Sequence, residues 1–290
     1  MCDENFEHDL ENYSRFPHVT RRQLGALSIG AGMTFMLPRS ADAQAVTESD
    51  VTITTPDGEA DSYFVHPARG ASPGVLIWPD ILGLRPAFRQ MGKRLAESGY
   101  AVLVVNPFYR SKKAPVVQPG ASFADPATRD IVMPMAQALN ATTHVTDAKA
   151  FVAWLDSQAA VDKNRKIGTT GYCMGGPMVM RTAAAVPDRV GAGGSFHGGG
   201  LVTKDADSPH LLVPKMKAHF LFAVAENDDQ RDPAAKNVLK ETFAKANLPA
   251  EIEVYAAAHG WCPPDSAVYN EKLAERAWAR LLVLFKTALA

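Results

Sequence analysis

The sequence predicts one α/β domain with a mostly parallel sheet of about eight strands and helices on both faces. Three observations carry this expectation. Short continuous apolar runs, Gly74–Trp78 and Ala101–Val105, have the length and composition of strands buried on both faces. A helical pattern from Ala87 to Glu97 lies between them and stops at Gly99, making a β-α-β unit, which implies a parallel pair and a right-handed crossover. The chain, 290 residues and 47% hydrophobic, is long enough for one large α/β core.

The remaining elements follow in order. Val51–Thr55 and Asp61–Val65 read as strands around the turn Pro56-Asp57-Gly58. Residues 111–125, rich in Pro, Ser and Lys, read as a surface loop, and helical patterns occupy 126–139 and 145–157. Lys166–Thr170 is a further strand, followed by a turn and a helix to Ala184. Val190–Ser195, Ala218–Val224 and Glu251–Tyr255 supply three more strands, with helix 234–246 between the last two and helix 266–288 closing the chain. No internal repeat or low-complexity segment interrupts this order.

Composition excludes more than it selects. Lys+Arg 30 against Asp+Glu 31 leaves a net charge of −1, so nothing would neutralise a row of phosphates and nucleic acid is not an expected partner. Three cysteines, Cys2, Cys173 and Cys262, are too few for a disulfide scaffold and lie at no metal-ligand spacing. His8, His18, His66, His144, His210 and His219 form no H-x-x-x-H or comparable set, so neither a metal nor another cofactor is expected.

The first 45 residues have the order of an export signal. Arg21-Arg22 precede an uncharged run of 14 residues, Leu24 to Leu37, and Ala43-Gln44-Ala45 supplies an A-x-A cleavage site. The expectation is a twin-arginine signal over 1–45, a single domain over 46–290 and a periplasmic or exported destination, with the cytoplasm as the alternative. The alternatives are an N-terminal helix packed on the domain or a tail. The run is shorter than the ~20 residues that span a bilayer, so no stable membrane anchor is expected.

One motif carries chemistry. Gly171-Tyr172-Cys173-Met174-Gly175-Gly176 sits between a strand and a helix and has the form G-x-C-x-G-G, the nucleophile-elbow pattern with cysteine in place of serine. A nucleophile on so sharp a turn needs neighbours without bulk, which Gly171 and Gly175 provide. The helix N-terminus favours a thiolate, and the Met174 N–H is placed to donate to an oxyanion. The alternative is a small buried cysteine in a glycine-rich turn. An elbow of this kind takes an acid after a later strand and a histidine after the last one. Asp228 and His259 fall at those places, with Glu226, Asp229 and Asp232 as rivals for the acid.

These residues resemble the dienelactone hydrolase family of α/β-hydrolases, whose nucleophile is cysteine. The resemblance runs from Val51 to the C-terminus. It is most specific in Gly171–Gly176 and is supported by Trp78–Gly83, Gly99–Pro107, Phe196–Gly200 and Ala258–Gly260. It implies an α/β-hydrolase fold and an esterase acting on a small-molecule ester or lactone through a Cys173–His259–Asp228 triad. The family's G-x-x-D pattern, matched by Ala225-Glu-Asn-Asp228, favours Asp228. The resemblance also implies that Asp80 stands where the family has a thiol-activating carboxylate, usually glutamate, and that Ile81 offers the second oxyanion N–H. Arg129 falls at the first of two arginines that grip the substrate carboxylate in the namesake enzyme, whereas the second position holds Pro263. His197, ending a strand at the sheet's carboxyl edge, is expected either to line the substrate pocket or to be a hydrogen-bonded structural residue; Trp261 is expected in the pocket wall, and Cys262 to be an inert wall residue or an oxidation partner for Cys173. A thiol redox protein and a non-catalytic binding protein on the same scaffold are the competing readings.

Overall fold

In a computed structural model, which describes Leu37 and residues 43–290, the domain is built on one eight-stranded sheet in the order β1-β2-β4-β3-β5-β6-β7-β8. Strands β1 (Val46–Thr55) and β2 (Gly58–Pro67) form an antiparallel hairpin closed by Thr55 opposite Gly58, and β2 runs antiparallel to β4 (Ala101–Val105). From β4 onward every neighbour is parallel: β3 (Gly74–Trp78), β5 (Ile167–Tyr172), β6 (Val190–Phe196), β7 (His219–Ala225) and β8 (Ala250–Tyr255). The expected eight strands are all present. The arginine pair and the apolar run before Leu37 lie outside the described residues. Val46, the first strand residue, directly follows the expected cleavage site.

Helices cover both faces. On one side lie α3 (Ala141–Ser157), α4 (Gly175–Ala185) and α6 (Ala235–Lys245); on the other lie α1 (Pro86–Glu97) and α7 (Glu271–Ala288). The pleat divides even the wholly apolar β3: Leu76 and Trp78 join Phe151, Met178 and Phe243 on the first face, while Val75 and Ile77 join Phe88, Leu281 and Phe285 on the second. A smaller core forms where α2 (Pro126–Gln137) and the 111–125 loop close over the end of β3. It holds Ile81, Phe108, Val116, Val132 and Met135, with Met174 packed against it.

Capping explains where the helices differ from the sequence reading. Helix α3 starts at 141 and not 145, because Asn140 accepts from the N–H groups of Thr142 and Thr143 while the Thr143 hydroxyl accepts from the Asn140 N–H. Helix α7 starts at 271 and not 266, where the Asn270 side chain caps the Leu273 N–H. The acidic run after β7 folds as the short helix α5 (Glu226–Arg231), and a 3₁₀ turn spans Pro209–Lys215. Among the described residues no helix is long and apolar enough to cross a membrane.

Candidate active site

The sheet order reverses at β3, which has β4 on one side and β5 on the other. Open α/β sheets bind ligands at the carboxyl ends of their strands beside such a reversal. Most of the expected site residues follow strand ends there: Asp80 and Ile81 follow β3, Cys173 follows β5, His197 follows β6, Asp228 follows β7 and His259 follows β8.

Cys173 occupies the left-handed region at φ 53°. A non-glycine residue held there is strained by about 1–3 kcal/mol, and it persists because its surroundings leave no alternative. Those surroundings are tight. A Cβ on Gly171 would lie 2.3 Å from the Gly175 carbonyl oxygen, and one on Gly175 would lie 2.4 Å from the Trp78 carbonyl oxygen. The two glycines thus let α4 start directly against the ends of β5 and β3, with half-buried Cys173 at the apex. The Cys173 N–H donates to Phe196 O at 3.0 Å and to His197 Nδ1 at 3.1 Å. Among the described residues no acceptor meets the N–H of Ile81 or of Met174.

His259 stands between Cys173 and Asp228. Its Nδ1 lies 2.7 Å from Asp228 Oδ2, and its backbone N–H donates to Asn227 Oδ1 at 2.8 Å. Burial disfavours a charge on the imidazole, yet the charges of Cys173 and of Asp228, to which it is bonded, outweigh burial and hold its pKa well above the usual histidine value. Of the four acidic residues, Asp228 is the one bonded to His259. Asp229 instead pairs with Lys236, and the Asp232 N–H donates back to Asp228 O.

His197 and Trp261 are not where the pocket expectation put them. Both are completely buried, so neither presents surface to a ligand. His197 sits edge-on to His259 at 5.0 Å and to Trp261 at 5.2 Å, and Trp261 stacks on Tyr255. The reason is the path of the chain. The His197 N–H is bonded to Ala223 O at φ 39°, which turns the ring under the elbow, and the segment after His259 folds Trp261 beneath the site. Burial, with the charge on His259 beside it, keeps His197 neutral. Its Nδ1 accepts from Cys173, so Nε2 carries the proton.

Arg129 is half-buried, and its Nη1 donates to the carbonyl oxygens of Phe123 and Ala124, which ties the 111–125 loop to α2. Cys262 lines a cavity of about 30 Å³ between α1 and α7, behind Tyr172 and Phe196, and burial pushes its thiol well above the usual range. Asp80 is buried, and both its oxygens accept from Arg85.

Sequence reasoning passed over three residues. Asn227 pins the His259 backbone, and its neighbour Asp228 was the only signal for it. Arg85, buried with Asp80, also grips the exposed Asp265 across 180 positions, for which no local pattern exists. Among the described residues no group of three or more His, Cys, Asp and Glu is arranged to hold a metal ion.

The sequence and the fold have counterparts among known proteins. Residues 60–289 match the model of the dienelactone hydrolase family. The carboxymethylenebutenolidase of Pseudomonas putida is 25% identical over 236 residues, covering 80% of this chain and 93% of that protein. Carboxymethylenebutenolidase 1 of Cupriavidus pinatubonensis is 23% identical over 227 residues, 78% and 91% of the two chains. The solved structure of a dienelactone hydrolase-like promiscuous phosphotriesterase from metagenomic libraries superposes with a TM-score of 0.71 at 19% identity, over 85% of this chain and all of that one. A match through nearly the whole domain, on an α/β-hydrolase sheet whose elbow carries a cysteine, places this chain in the dienelactone hydrolase family.

Proposed function

We propose that this hydrolase cleaves a small carboxylic ester or lactone through a thioester on Cys173. The observation that carries the reading is the convergence of Cys173, His259 and Asp228 at the ends of β5, β8 and β7, with the cysteine on a strained elbow. The Cys173 sulfur attacks the carbonyl carbon, and the N–H groups of Ile81 and Met174 receive the oxyanion. His259 gives its Nε2 proton to the departing alkoxide, leaving an acyl-thioester. It then takes a proton from water, which attacks the thioester and releases the acid and the Cys173 thiolate. Asp228 holds Nδ1–H throughout, so Nε2 always faces the sulfur.

The apolar wall of Ile81, Met174 and the α2 core favours an uncharged acyl or alcohol portion. A thiolate leaves more easily than an alkoxide, so activated esters and enol lactones fit better than amides. Carboxymethylenebutenolidases among the relatives agree with a lactone. Intact mass after mixing with an aryl ester should reveal an acyl adduct on Cys173 that is absent from Cys173→Ala. Undiminished hydrolysis by Cys173→Ala would refute the mechanism, and peroxide-dependent oxidation of Cys173 without any ester turnover would favour a redox role. We further propose export through the twin-arginine signal. N-terminal sequencing of periplasmic protein should begin at Val46, and an intact Met1 on that protein would reject the proposal.

A further inference from the structure

Arg85, at the entry to α1, is buried, and its guanidinium holds two carboxylates at once. Nη1 and Nη2 donate to Asp80 Oδ1 and Oδ2 at 2.6 and 2.9 Å. Nε and Nη2 donate to Asp265 Oδ2 and Oδ1 at 2.7 and 2.9 Å, and Nη1 also reaches Gly83 O at 3.3 Å. These bonds use all the donors a guanidinium has. Its carbon lies 4.9 Å over the ring of Phe88, which packs edge-on against Tyr172, the residue before Cys173.

The two carboxylates belong to opposite sides of the candidate site. Asp80 closes its own turn: Oδ1 accepts from the Leu82 N–H and its carbonyl accepts from the Gly83 N–H, both at 2.9 Å. That turn carries Ile81. Asp265 lies in the segment that follows His259. One side chain therefore sets the separation between an oxyanion donor and the general base. The same bonds bear on Asp80 itself. Protonating it would leave a buried guanidinium with half its counter-charge, whereas His259 already has Asp228 waiting for an imidazolium.

We propose that Arg85 is a positioning residue joining the Ile81 turn to the His259 segment, and that Asp80 is its anchor and not the acceptor of the Cys173 proton. The S–H bond of Cys173 breaks with its electron pair left on sulfur, and the proton forms the Nε2–H bond of His259. Asp80 remains a carboxylate throughout. The inference rests on the cysteine mechanism proposed above, but its first test needs no substrate, so the two can fail separately.

That test follows alkylation of Cys173 by iodoacetamide across pH in the full chain, read by peptide mass. Asp80→Asn should keep the parent's pH profile, whereas His259→Gln should change it, because the partner that takes the S–H proton is gone. A shift in Asp80→Asn as large as that in His259→Gln would overturn the proton route. If Asp80→Asn does not fold, the charge-free triple Asp80→Asn, Arg85→Met, Asp265→Asn gives the same reading. For positioning, Asp265→Asn lies away from the reacting atoms and should lower kcat about 10- to 100-fold with KM unchanged. Arg85→Lys should show the same loss, because an ammonium cannot grip two carboxylates bidentately. Parental kcat in both variants would overturn the positioning role.

Discussion

Adding one methyl group at Gly171 tests whether the elbow's geometry depends on close backbone approach. In Gly171→Ala the new Cβ would lie 2.3 Å from the oxygen and 2.5 Å from the carbon of the Gly175 carbonyl, and 2.9 Å from Val179 Cγ2. Ordinary carbon contacts are about 3.5 Å or more, so the first turn of α4 must retreat by about 1 Å. Two of the three opposing atoms are backbone and cannot rotate away. The cost therefore belongs at the upper end of overpacking, about 3 kcal/mol. At about 2–4 °C per kcal/mol for a domain of this size, Tm should fall by about 6–12 °C. Cys173 moves with the helix, and a displacement near 1 Å should cost about 100-fold in kcat/KM. The comparison is Gly199→Ala, on the same side of the sheet, where a Cβ would meet nothing within 4 Å and φ is not positive. That variant should stay within about 0.5 kcal/mol of the parent. Thermal unfolding by circular dichroism and aryl-ester hydrolysis measure both effects. A Gly171→Ala protein that melts and turns over like Gly199→Ala would refute the reasoning.

Other residues make separate predictions. Burial, with the Arg181 guanidinium beside it, pushes His144 down to about 3. The unfolded chain protonates this histidine below about 6.5 and the folded one does not, so its contribution to stability is complete above 6.5 and is lost as pH falls toward 3. The loss is about 3 kcal/mol by pH 4. Urea unfolding at pH 7 and pH 4 should find His144→Gln less acid-sensitive by about that amount, and equal sensitivity would reject the account. Asp228→Asn frees the His259 tautomer and should lower kcat by about 10³-fold or more, whereas Asp229→Asn should leave kcat near the parental value. Trp261 is buried, so Trp261→Phe should change Tm or kcat without raising KM. Met174→Ala, which thins the apolar wall, should raise KM for an aryl ester about tenfold; reversed responses would return Trp261 to the pocket.

Much of the fold was legible because its signals are local. The β3 and β4 runs match their strands residue for residue, and the glycines at 171 and 175 are where steric clearance at the turn demands them. The site was legible only where chemistry follows a strand end. Cys173 and His259 are marked by their neighbours, but four carboxyl groups after β7 look alike until one of them lies 2.7 Å from the imidazole.

The sequence by itself determined the α/β class, the order of the strands and the longer helices, the elbow and its cysteine, because periodicity and turn sterics act within a few residues. Tertiary structure alone decided which acid meets His259, that His197 and Trp261 lie beneath the site, and that Arg85 joins Asp80 to a carboxylate 180 positions away. Burial and ion pairing depend on which segments the sheet brings together, and that is a property of the whole chain's packing and not of any stretch of it.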